Sequence, residues 1–420
     1  PGTSTDDPHV PLIADANPRR RLALMAARFF EKQPETMVAI TGTNGKTSVA
    51  SFVEQIWRHL GHKAGSLGTL GVQGDGYSAS LEHTTPDPVT LHSHLREFVD
   101  HEINHVAIEA SSHGLDQYRL DGVRLKAAAF TNLSHDHFDY HESEEDYFQA
   151  KARLFGELLP GDGIAVLNAD CEHQGRLVEI AEARGLKVIS YGFRGWDINI
   201  KRRRPSRDGQ MLELEVFGKT CLIEMPVIGD FQAENALCAL GLVLACGADQ
   251  DAAVDALNHL HGVTGRIEKV VEHPNGAPVF VDFAHTPDAL EHVLKALKSH
   301  ARDRLVVVFG CGGDRDVEKR SVMGVVACQF ADHVIVTDDN PRFEDAAAIR
   351  HQVMKGCDRA MEVGDRADAI RAAVAGLNEG DVLVIAGKGH ESGQIIRDEV
   401  LPFNDGEQAR MAVAEIGGDI

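Results

Sequence analysis

Residues 41–48, Thr-Gly-Thr-Asn-Gly-Lys-Thr-Ser, lie between a short apolar run and a segment with the periodicity of an amphipathic helix. A glycine-rich turn that leaves a strand and opens a helix directs backbone N–H groups at an anion, and the helix N-terminus adds about half a positive charge. Lys46 would reach the terminal phosphates of a nucleotide, and the Thr47 hydroxyl would ligate Mg²⁺. The standard phosphate-loop pattern has glycine where this chain has Ile40. The flanking strand and helix nevertheless favour an ATP site, and they constrain this part of the chain to an α/β fold.

Composition limits the class of protein. A chain of 420 residues predicts two or three domains, and 43% hydrophobic with 25% charged residues is typical of a globular protein. A net charge of −22 argues against a nucleic acid or an anionic membrane surface as the partner. The seven cysteines form no Cys-x-x-Cys pair, which indicates reduced thiols, and the polar first residues show no signal peptide. We therefore expect a cytoplasmic protein that does not bind membranes.

The order of strand-like and helical segments predicts the architecture. β-like runs alternate with helical patterns from residue 37 to about 262, and a polar, β-looking insertion with a basic cluster at 201–204 lies within this part. We expect that cluster to be a solvated strand end or loop. From about residue 264 the alternation is regular, which predicts a parallel, doubly wound sheet. Its predicted strands are residues 279–283, 305–309, 333–337 and 382–386.

Unusual residues follow each of these four predicted strands. They are residues 284–288, 310–316, 338–342 and 387–391. Parallel sheets bind ligands beyond the carboxyl ends of their strands, so four such segments predict a binding face on one edge of the sheet.

In the first half of the chain, Glu109 ends a predicted strand, and histidines are dense around 135–141. A carboxylate and a histidine near a phosphate loop would hold Mg²⁺ against triphosphate oxygens. Taken alone, Glu109 is expected to be a solvated acid, Lys151 a solvated lysine on a helix, and 84–87 a plain turn. The individual histidines His113, His135, His137 and His141 are each typical of turns or caps. No spacing typical of a structural zinc site occurs.

In chain order, these segments resemble the Mur ligases, the ATP-dependent amide-bond-forming enzymes of bacterial peptidoglycan synthesis. The motifs are Thr-Gly-Thr-Asn-Gly-Lys-Thr, Thr-Thr-Pro-Asp, Glu-Ala-Ser-Ser-His-Gly-Leu, Thr-Asn-Leu-Ser-x-Asp-His-x-Asp-Tyr-His, Ala-Lys, Gly-Arg-x-Glu, His-Thr-Pro-Asp-Ala-Leu-Glu, Gly-Cys-Gly-Gly-Asp-Arg-Asp, Asp-Asp-Asn-Pro-Arg and Gly-Lys-Gly-His-Glu. The match runs from about residue 10 to the C-terminus. It is most similar to the branch of the family that adds meso-2,6-diaminopimelate to UDP-N-acetylmuramoyl-L-alanyl-D-glutamate.

The resemblance implies three parts of the chain. Residues 36–263 would form a central P-loop ATPase-type domain with a mostly parallel sheet, and 264–420 a doubly wound, Rossmann-like domain that binds the amino acid. Residues 1–35 would be the remnant of an N-terminal UDP-binding domain that is otherwise largely missing. ATP and Mg²⁺ are the implied cofactors, and the protein is expected to be a monomer that acts on small molecules.

The resemblance also implies roles for individual residues. The implied catalytic residues are Lys46, His137 and Lys151. Those for ATP are Gly42, Thr43, Asn44, Gly45, Lys46, Thr47, Ser48, Asn235, Arg266, Asp282 and His285. Those for the UDP-linked dipeptide are Thr84, Thr85, Ser111, Gln117, Arg119 and Lys151. Those for diaminopimelate are Arg315, Asp339, Asn340, Pro341, Arg342, Gly387 and Glu391. The implied metal ligands are Thr47, Glu109, His137 and Lys151 as its carbamate.

The implied reaction forms an acyl phosphate from ATP and the glutamyl side-chain carboxylate, and the amine of the amino acid then displaces phosphate. Two related alternatives are a Mur ligase that adds L-lysine and a ligase similar to folylpolyglutamate synthase. An alternative of a different class is a non-catalytic, nucleotide-binding regulator. ADP release that depends on an added amino acid distinguishes an enzyme from such a regulator.

Overall fold

The computed structural model describes residues 13–134, 136, 140–206 and 209–417. The helices are α1 (Pro18–Phe30), α2 (Lys46–His59), α3 (Pro88–Asp100), α4 (Ser112–Asp116), α5 (Glu144–Arg153), α6 (Gln174–Ala183), α7 (Asp230–Ala245), α8 (Gln250–Asp255), α9 (Pro287–Lys298), α10 (Glu318–Phe330), α11 (Ala346–Met354), α12 (Arg366–Ala375) and α13 (Asp405–Gly417). A π-helical turn, Leu154–Leu158, continues α5, and a 3₁₀ turn, Ala256–His259, continues α8.

The first sheet has 11 strands in the order β11-β10-β9-β8-β7-β6-β1-β5-β2-β3-β4. They are β1 (Thr36–Thr41), β2 (Ala64–Gly68), β3 (Gly71–Gly74), β4 (Tyr77–Ala79), β5 (His105–Glu109), β6 (Ala127–Phe130), β7 (Ile164–Asn168), β8 (Lys187–Gly192), β9 (Ile198–Ser206), β10 (Gly209–Val216) and β11 (Lys219–Met225). The seven strands from β9 to β2 in this order pair in parallel, and hairpins extend the sheet at both edges. Every residue of β1 is buried because helices cover both faces of the sheet.

The polar segment predicted as an insertion is an extension of this sheet. Strands β9, β10 and β11 add to it beyond β8, and the basic cluster lies in β9. Lys201 and Arg202 pair across the ladder with acidic residues of β10, and both side chains are largely solvated. The expectation of a solvated basic cluster is therefore confirmed.

The second sheet has six strands in the order β12-β13-β17-β14-β15-β16, and a separate hairpin has two. They are β12 (Glu268–Glu272), β13 (Pro278–Asp282), β14 (Leu305–Phe309), β15 (His333–Val336), β16 (Met361–Glu362) and β17 (Val382–Ala386), with β18 (Gly393–Ile396) and β19 (Glu399–Pro402) in the hairpin. Within the six-stranded sheet all pairs except β12 with β13 are parallel, and separate apolar clusters cover its two faces. The prediction of an α/β protein with a doubly wound second sheet is confirmed.

Helix α2 couples the phosphate loop to the core. Gly45, with φ of +89°, precedes the helix, and the apolar face predicted from its spacing is buried against α7 and the first sheet. The buried apolar members of that face are Val49, Phe52, Val53, Ile56 and Trp57. The loop thus begins a rigid element rather than a solvated turn.

The chain passes from the first sheet to the second through 260–266. The side chain of Gln55 on α2 accepts from the His261 amide at 2.7 Å and donates to the His261 carbonyl. Gly265 has φ of +68°, and a Cβ there would lie 2.4 Å from the backbone N of His390. The segment is therefore tightly fitted between the two sheets. The divisions of the chain at 35/36 and 263/264 stay predictions.

Within the described ranges, no helix combines the length and the apolar character that crossing a membrane requires. All seven cysteines are free thiols.

Candidate active site

The phosphate loop is shaped by its glycines. Gly42 has φ of +145°, and a Cβ on it would lie 1.9 Å from Thr131 Oγ1. A Cβ on Gly45 would lie 2.4 Å from Asn235 Oδ1. Neither position tolerates a side chain, since the backbone conformation and the space both require glycine. The predicted nucleotide residue Asn235 is thereby placed directly against the loop.

The end of strand β6 holds the loop in place. Thr131 Oγ1 donates to the Asn44 carbonyl at 2.6 Å, and Asn132 Oδ1 accepts from the Asn44 amide at 2.8 Å. The Asn132 carbonyl accepts from the Thr43 amide at 2.9 Å. These supports were not predicted individually, although their segment was expected near the loop, because only the tertiary fold brings β6 beside β1.

Lys151 is buried, and the expectation of a solvated lysine is wrong. Its side chain is 1% exposed, and Nζ donates to the Gly42 carbonyl at 2.8 Å. The short helix α5 buries Lys151 together with apolar residues such as Phe148, so its pattern did not distinguish a buried lysine from a solvated one. The resemblance, which implied a place beside the phosphate loop, located this residue correctly.

Two lysines converge on one carbonyl. Lys46 Nζ lies 2.9 Å from the Gly42 carbonyl and 2.7 Å from that of Thr43, so Gly42 accepts from both ammonium groups. Burial lowers the pKa of Lys151 well below its usual value, and the neighbouring charge of Lys46 lowers it further. Burial also lowers the pKa of Lys46, against the opposing effect of Glu109 and Asp136. Two ammonium groups that share one carbonyl acceptor repel each other, and the repulsion favours loss of a proton from one of them.

Glu109 is a buried carboxylate, and the expectation of a solvated strand-end acid is also wrong. It is 2% exposed and accepts from Thr47 Oγ1 at 3.0 Å. Thr69, which was not predicted, donates to it from its amide at 2.8 Å and from its hydroxyl at 3.1 Å. Carboxylate and hydroxyl oxygens are the hard ligands that Mg²⁺ prefers, so the pair Thr47 and Glu109 fits that ion. His137 and His135 lie outside the described residues.

The residues expected to bind the dipeptide form one network next to Glu109. Thr85 Oγ1 donates to the Glu109 carbonyl at 2.8 Å and accepts from the Ser111 amide at 3.0 Å. Arg119 donates to the Thr85 carbonyl at 2.6 Å and to Gln117 Oε1 at 2.8 Å. The network therefore connects the end of β5 with the segment before α3.

Thr84 and Asp87, at the two ends of segment 84–87, each make a contact of their own. Thr84 Oγ1 lies 3.1 Å from Thr69 Oγ1. Asp87 caps α3 by accepting from the amides of Val89 and Thr90. The segment is thus a bend that leads into α3, as the expected turn requires, and it adjoins the candidate site.

Side chains from the second sheet reach the loop. Arg266 Nη2 donates to Thr47 Oγ1 at 3.2 Å, and Asn44 Nδ2 donates to Asp288 Oδ2 at 2.9 Å. The Arg266 guanidinium carbon also lies 4.5 Å from the centroid of the Phe283 ring. Asp288 belongs to the predicted segment 284–288 but was given no individual role, because a helix-start aspartate resembles any other first-turn acid in the sequence.

Asp282 and His285 support this junction. The Asp282 carboxylate accepts from the amides of Ile267 and Ala284, each at 2.7 Å. Burial raises the pKa of Asp282 to about 6, although Arg266 and the two amides oppose the rise. His285 Nδ1 lies 2.9 Å from the Phe283 carbonyl. Asp282 therefore fixes the turn that presents Arg266 to the loop.

The expected amino-acid pocket lies at the carboxyl ends of β14, β15 and β17. Asn340 Nδ2 donates to Glu391 Oε2 at 3.0 Å, and the buried Lys388 donates to both residues, at 3.0 Å to Asn340 and 2.8 Å to Glu391. A Cβ on Gly387 would lie 2.9 Å from Asp339 Oδ2. Lys388 lies in the predicted segment 387–391 but was given no role of its own. Its position between two glycines at the end of a strand could have indicated a site residue.

Arg342 is half-buried at the edge of this pocket. Its backbone has φ of +50°, and Nη1 donates to the Gly313 carbonyl at 2.8 Å. Burial lowers the pKa of Arg342, and the charge of Arg315 lowers it further. Arg315 is exposed on the neighbouring loop, and a Cβ on Gly313 would lie 2.0 Å from the Pro341 carbonyl oxygen. Two arginine side chains thus lie near each other, as an anion-binding pocket requires.

A buried ion pair contacts the backbone next to the expected amino-acid pocket. Arg366 and Asp405 have fully buried side chains and share two hydrogen bonds of 2.7 Å. Arg366 also donates to the carbonyls of Asp338, at 3.3 Å, and Ala386, at 3.0 Å, which precede the two pocket-forming loops. Neither residue was predicted, since a helix-start arginine and a distant aspartate share no sequence pattern.

Family models and curated relatives match nearly the whole chain. The family model described as the Mur ligase middle domain matches residues 40–243, and that described as the Mur ligase, glutamate ligase domain matches residues 265–389. The chain is 52% identical over 409 residues to a UDP-N-acetylmuramoyl-L-alanyl-D-glutamate–2,6-diaminopimelate ligase of Bradyrhizobium diazoefficiens, covering 96% of this chain and 84% of the relative. It is 51% identical to the protein of the same name from Agrobacterium fabrum, covering 97% and 84%.

Solved structures agree with this similarity. A structure of a UDP-N-acetylmuramoyl-L-alanyl-D-glutamate–2,6-diaminopimelate ligase has a TM-score of 0.70 at 34% identity, covering 96% of this chain and 84% of that one. A folylpolyglutamate synthase of Mycobacterium tuberculosis has a TM-score of 0.70 at 23% identity, covering 88% and 92%, which shows a shared fold alone.

Proposed function

The chain belongs to the Mur ligase family, and we propose that it joins 2,6-diaminopimelate to UDP-N-acetylmuramoyl-L-alanyl-D-glutamate while converting ATP to ADP and phosphate. It is a ligase of peptidoglycan synthesis. The observation that carries the proposal is the pairing of a phosphate loop on one sheet with an arginine-bearing pocket on the other. The contacts from Arg266 to Thr47 and from Asn44 to Asp288 hold these two parts together.

In the first step, the glutamyl side-chain carboxylate attacks the γ-phosphorus of ATP. A carbon–oxygen–phosphorus linkage forms, the bond between the β–γ bridging oxygen and the γ-phosphorus breaks, and ADP leaves. Because two anions must meet, Lys46 and the loop amides neutralise charge and align the reacting groups. Thr47 and Glu109 would hold one Mg²⁺, with His137 and carbamylated Lys151 for a second, and the bound ions would supply further charge neutralisation.

The surroundings of Lys151 support its carbamylation. A carbamate forms when a neutral amine attacks CO₂ and releases a proton. Burial and the charge of Lys46 both favour the neutral amine of Lys151. The product carries a negative charge beside Lys46, so the two side chains attract each other once the carbamate has formed. A carbamate also offers oxygen ligands to Mg²⁺, which an ammonium group would repel.

In the second step, the amine of diaminopimelate attacks the acyl carbon and phosphate leaves. Asn340, Arg342 and Glu391 are proposed to orient the amino acid, with Arg315 as a second cation. Arg342 would bind the far carboxylate of diaminopimelate in a planar, bidentate manner. The acyl phosphate is labile in water, so the contacts between the two sheets would exclude solvent from it.

The experiment that tests the function is an assay of ADP release with the UDP-linked dipeptide and a panel of amino acids. We expect release to require both the dipeptide and diaminopimelate. Release with L-lysine at equal efficiency would favour the lysine-adding alternative, and release with a folate in place of the dipeptide would favour the folylpolyglutamate alternative. Nucleotide binding without release under any combination would favour a non-catalytic regulator. A cytoplasmic location and a monomeric state stay predictions.

Glu109→Gln should lower turnover by about 100-fold, because the neutral amide no longer balances the charge of a bound divalent ion. The effect should be partly offset by raised Mg²⁺, since the variant binds the ion more weakly. The measurement is the rate of ADP release as a function of Mg²⁺ concentration. Glu54→Gln is the matched control, because Glu54 is another buried carboxylate, on α2, that accepts from the Ser66 hydroxyl. Equal rates in Glu109→Gln and the control would contradict the metal assignment.

Arg342→Ala should strongly raise the KM for diaminopimelate and reduce its advantage over L-lysine. A guanidinium left without its carboxylate costs on the order of 2–5 kcal/mol, which is the basis for rejecting lysine. The KM for ATP should change little. The control is Arg304→Ala, since Arg304 pairs with Asp381 next to the opposite end of β14. A variant that keeps its full preference for diaminopimelate would place the specificity pocket elsewhere.

A further inference from the structure

Two imidazoles and a carboxylate form a cluster on the surface of the first sheet's helical layer. They belong to His59, Asp255 and His259, and their ligand atoms all lie within 4.8 Å of one another. Asp255 Oδ2 lies 3.6 Å from His59 Nε2 and 3.8 Å from His259 Nε2. His59 is the last residue of α2, so the cluster is about 20 Å along the helix from Lys46. It is thus separate from the candidate active site.

We propose that this cluster, called here the His59 site, binds a zinc ion. Two imidazole nitrogens and a carboxylate oxygen are ligands that zinc accepts at about 2.0–2.2 Å, which places neighbouring ligand atoms roughly 3.3 Å apart in a tetrahedron. The 3.6 and 3.8 Å separations between the carboxylate oxygen and the two imidazole nitrogens would have to shorten by a few tenths of an ångström, and the two imidazole nitrogens, which lie within 4.8 Å of each other, would have to approach by rotation of their rings. The fourth position would be taken by water. Mg²⁺ is not the expected ion, because it prefers an octahedron of oxygen ligands.

The carboxylate of the site has a neighbouring side chain as a hydrogen-bond partner. Asn258 Nδ2 lies 3.4 Å from Asp255 Oδ1, on the other side of the carboxylate from the oxygen that faces the imidazoles. The two imidazole rings are stacked, with centroids 4.7 Å apart and planes 17° apart. Rotation of these exposed rings would turn their nitrogens towards a shared ion. A hydrogen bond to a metal ligand, such as the one from Asn258, orients that ligand and strengthens metal binding.

The backbone around the site also brings its parts together. Asp255 and His259 are four residues apart at the end of α8 and in the 3₁₀ turn, while His59 comes from α2. The two hydrogen bonds from Gln55 to the His261 backbone fix the separation of these elements. The ligands come from distant parts of the chain, which is why no sequence spacing predicted a zinc site. A bound ion would link the phosphate-loop helix to the segment that leads to Arg266.

The test is zinc binding to the full chain after chelator treatment, measured by calorimetry in excess Mg²⁺. We expect one zinc ion bound at micromolar levels, and binding weakened at least roughly 10–100-fold in both His59→Gln and His259→Gln. Zinc should also raise the Tm of the unsubstituted chain but not that of these variants. His261→Gln is the matched control, since it removes an exposed histidine two residues beyond the site and should leave binding unchanged.

Cobalt distinguishes the ligands directly. Co²⁺ at the His59 site should give an absorption spectrum without the intense charge-transfer band of thiolate ligands, because no cysteine belongs to the cluster. A thiolate band, or equal zinc affinity in the unsubstituted chain and both histidine variants, would show that the metal binds elsewhere. Failure of zinc to bind or to raise the Tm would overturn the proposal as well. None of these outcomes depends on ligase activity.

Discussion

Lys46→Ala should lower the rate of ADP release by about 100- to 1,000-fold, with the fold intact. Lys46 is the cation at the phosphate loop, where charge develops on the transferring phosphoryl group, and loss of one such donor in a preorganised site costs two to three orders of magnitude. The variant also loses the hydrogen bonds to the carbonyls of Gly42 and Thr43. The measurement is ADP release at saturating substrates, together with Tm.

The matched control is Lys63→Ala. Lys63 is an exposed lysine that pairs with Glu102 away from the loop, so its removal should leave the rate unchanged. A folded Lys46→Ala protein with nearly normal ADP production would refute the phosphate-loop assignment.

Lys151→Ala should be almost inactive for a different reason. A carbamate on Lys151 would be a metal ligand, and the substitution removes it. Short-chain carboxylic acids such as acetate should partly restore activity, because they would place an oxygen anion in the space left by the side chain. The measurement is ADP release with and without added acetate.

Two controls separate this effect from damage to the fold. Lys151→Met retains most of the buried volume, so its Tm should stay close to that of the unsubstituted chain while its activity is lost. Acetate should not restore Lys46→Ala, which lacks a cation. An active, Mg²⁺-bound protein whose intact mass and crystal structure show an unmodified Lys151 ammonium would exclude the carbamate.

The sequence predicted the layout of the fold because layout depends on local patterns. The strand, glycine-rich turn and helix around 41–48 and the regular alternation after residue 264 each follow from apolar periodicity and turn residues. The carboxyl-end segments of the second sheet were expected to form one face, and the contacts of Asn340 with Lys388 and Glu391 confirm that they meet. In a parallel sheet, strand direction alone brings such segments together.

The burial of charged side chains and the identity of their partners were harder to predict. Glu109 and Lys151 were expected to be solvated on pattern alone, because charged residues are rarely buried without partners, and the partners came from other elements. Thr69 reaches Glu109 from the end of β2, and the Gly42 carbonyl reaches Lys151 from the loop. Arg366 and Asp405 are 39 residues apart, so only the folded second sheet reveals their pairing. Glu109 and Lys151 both lie beside the phosphate loop, where the roles implied by the resemblance would need them, and those roles stay predictions.

The most direct test of the proposed reaction is mass spectrometry of its products with an ¹⁸O-labelled glutamyl side-chain carboxylate. The protein would be given ATP, the labelled UDP-linked dipeptide, and equal amounts of diaminopimelate and L-lysine. We predict that the ligated product carries diaminopimelate almost exclusively and that the released phosphate contains one ¹⁸O atom, transferred from the carboxylate through the acyl phosphate. A product containing lysine in comparable amount, or phosphate without the label, would contradict the account.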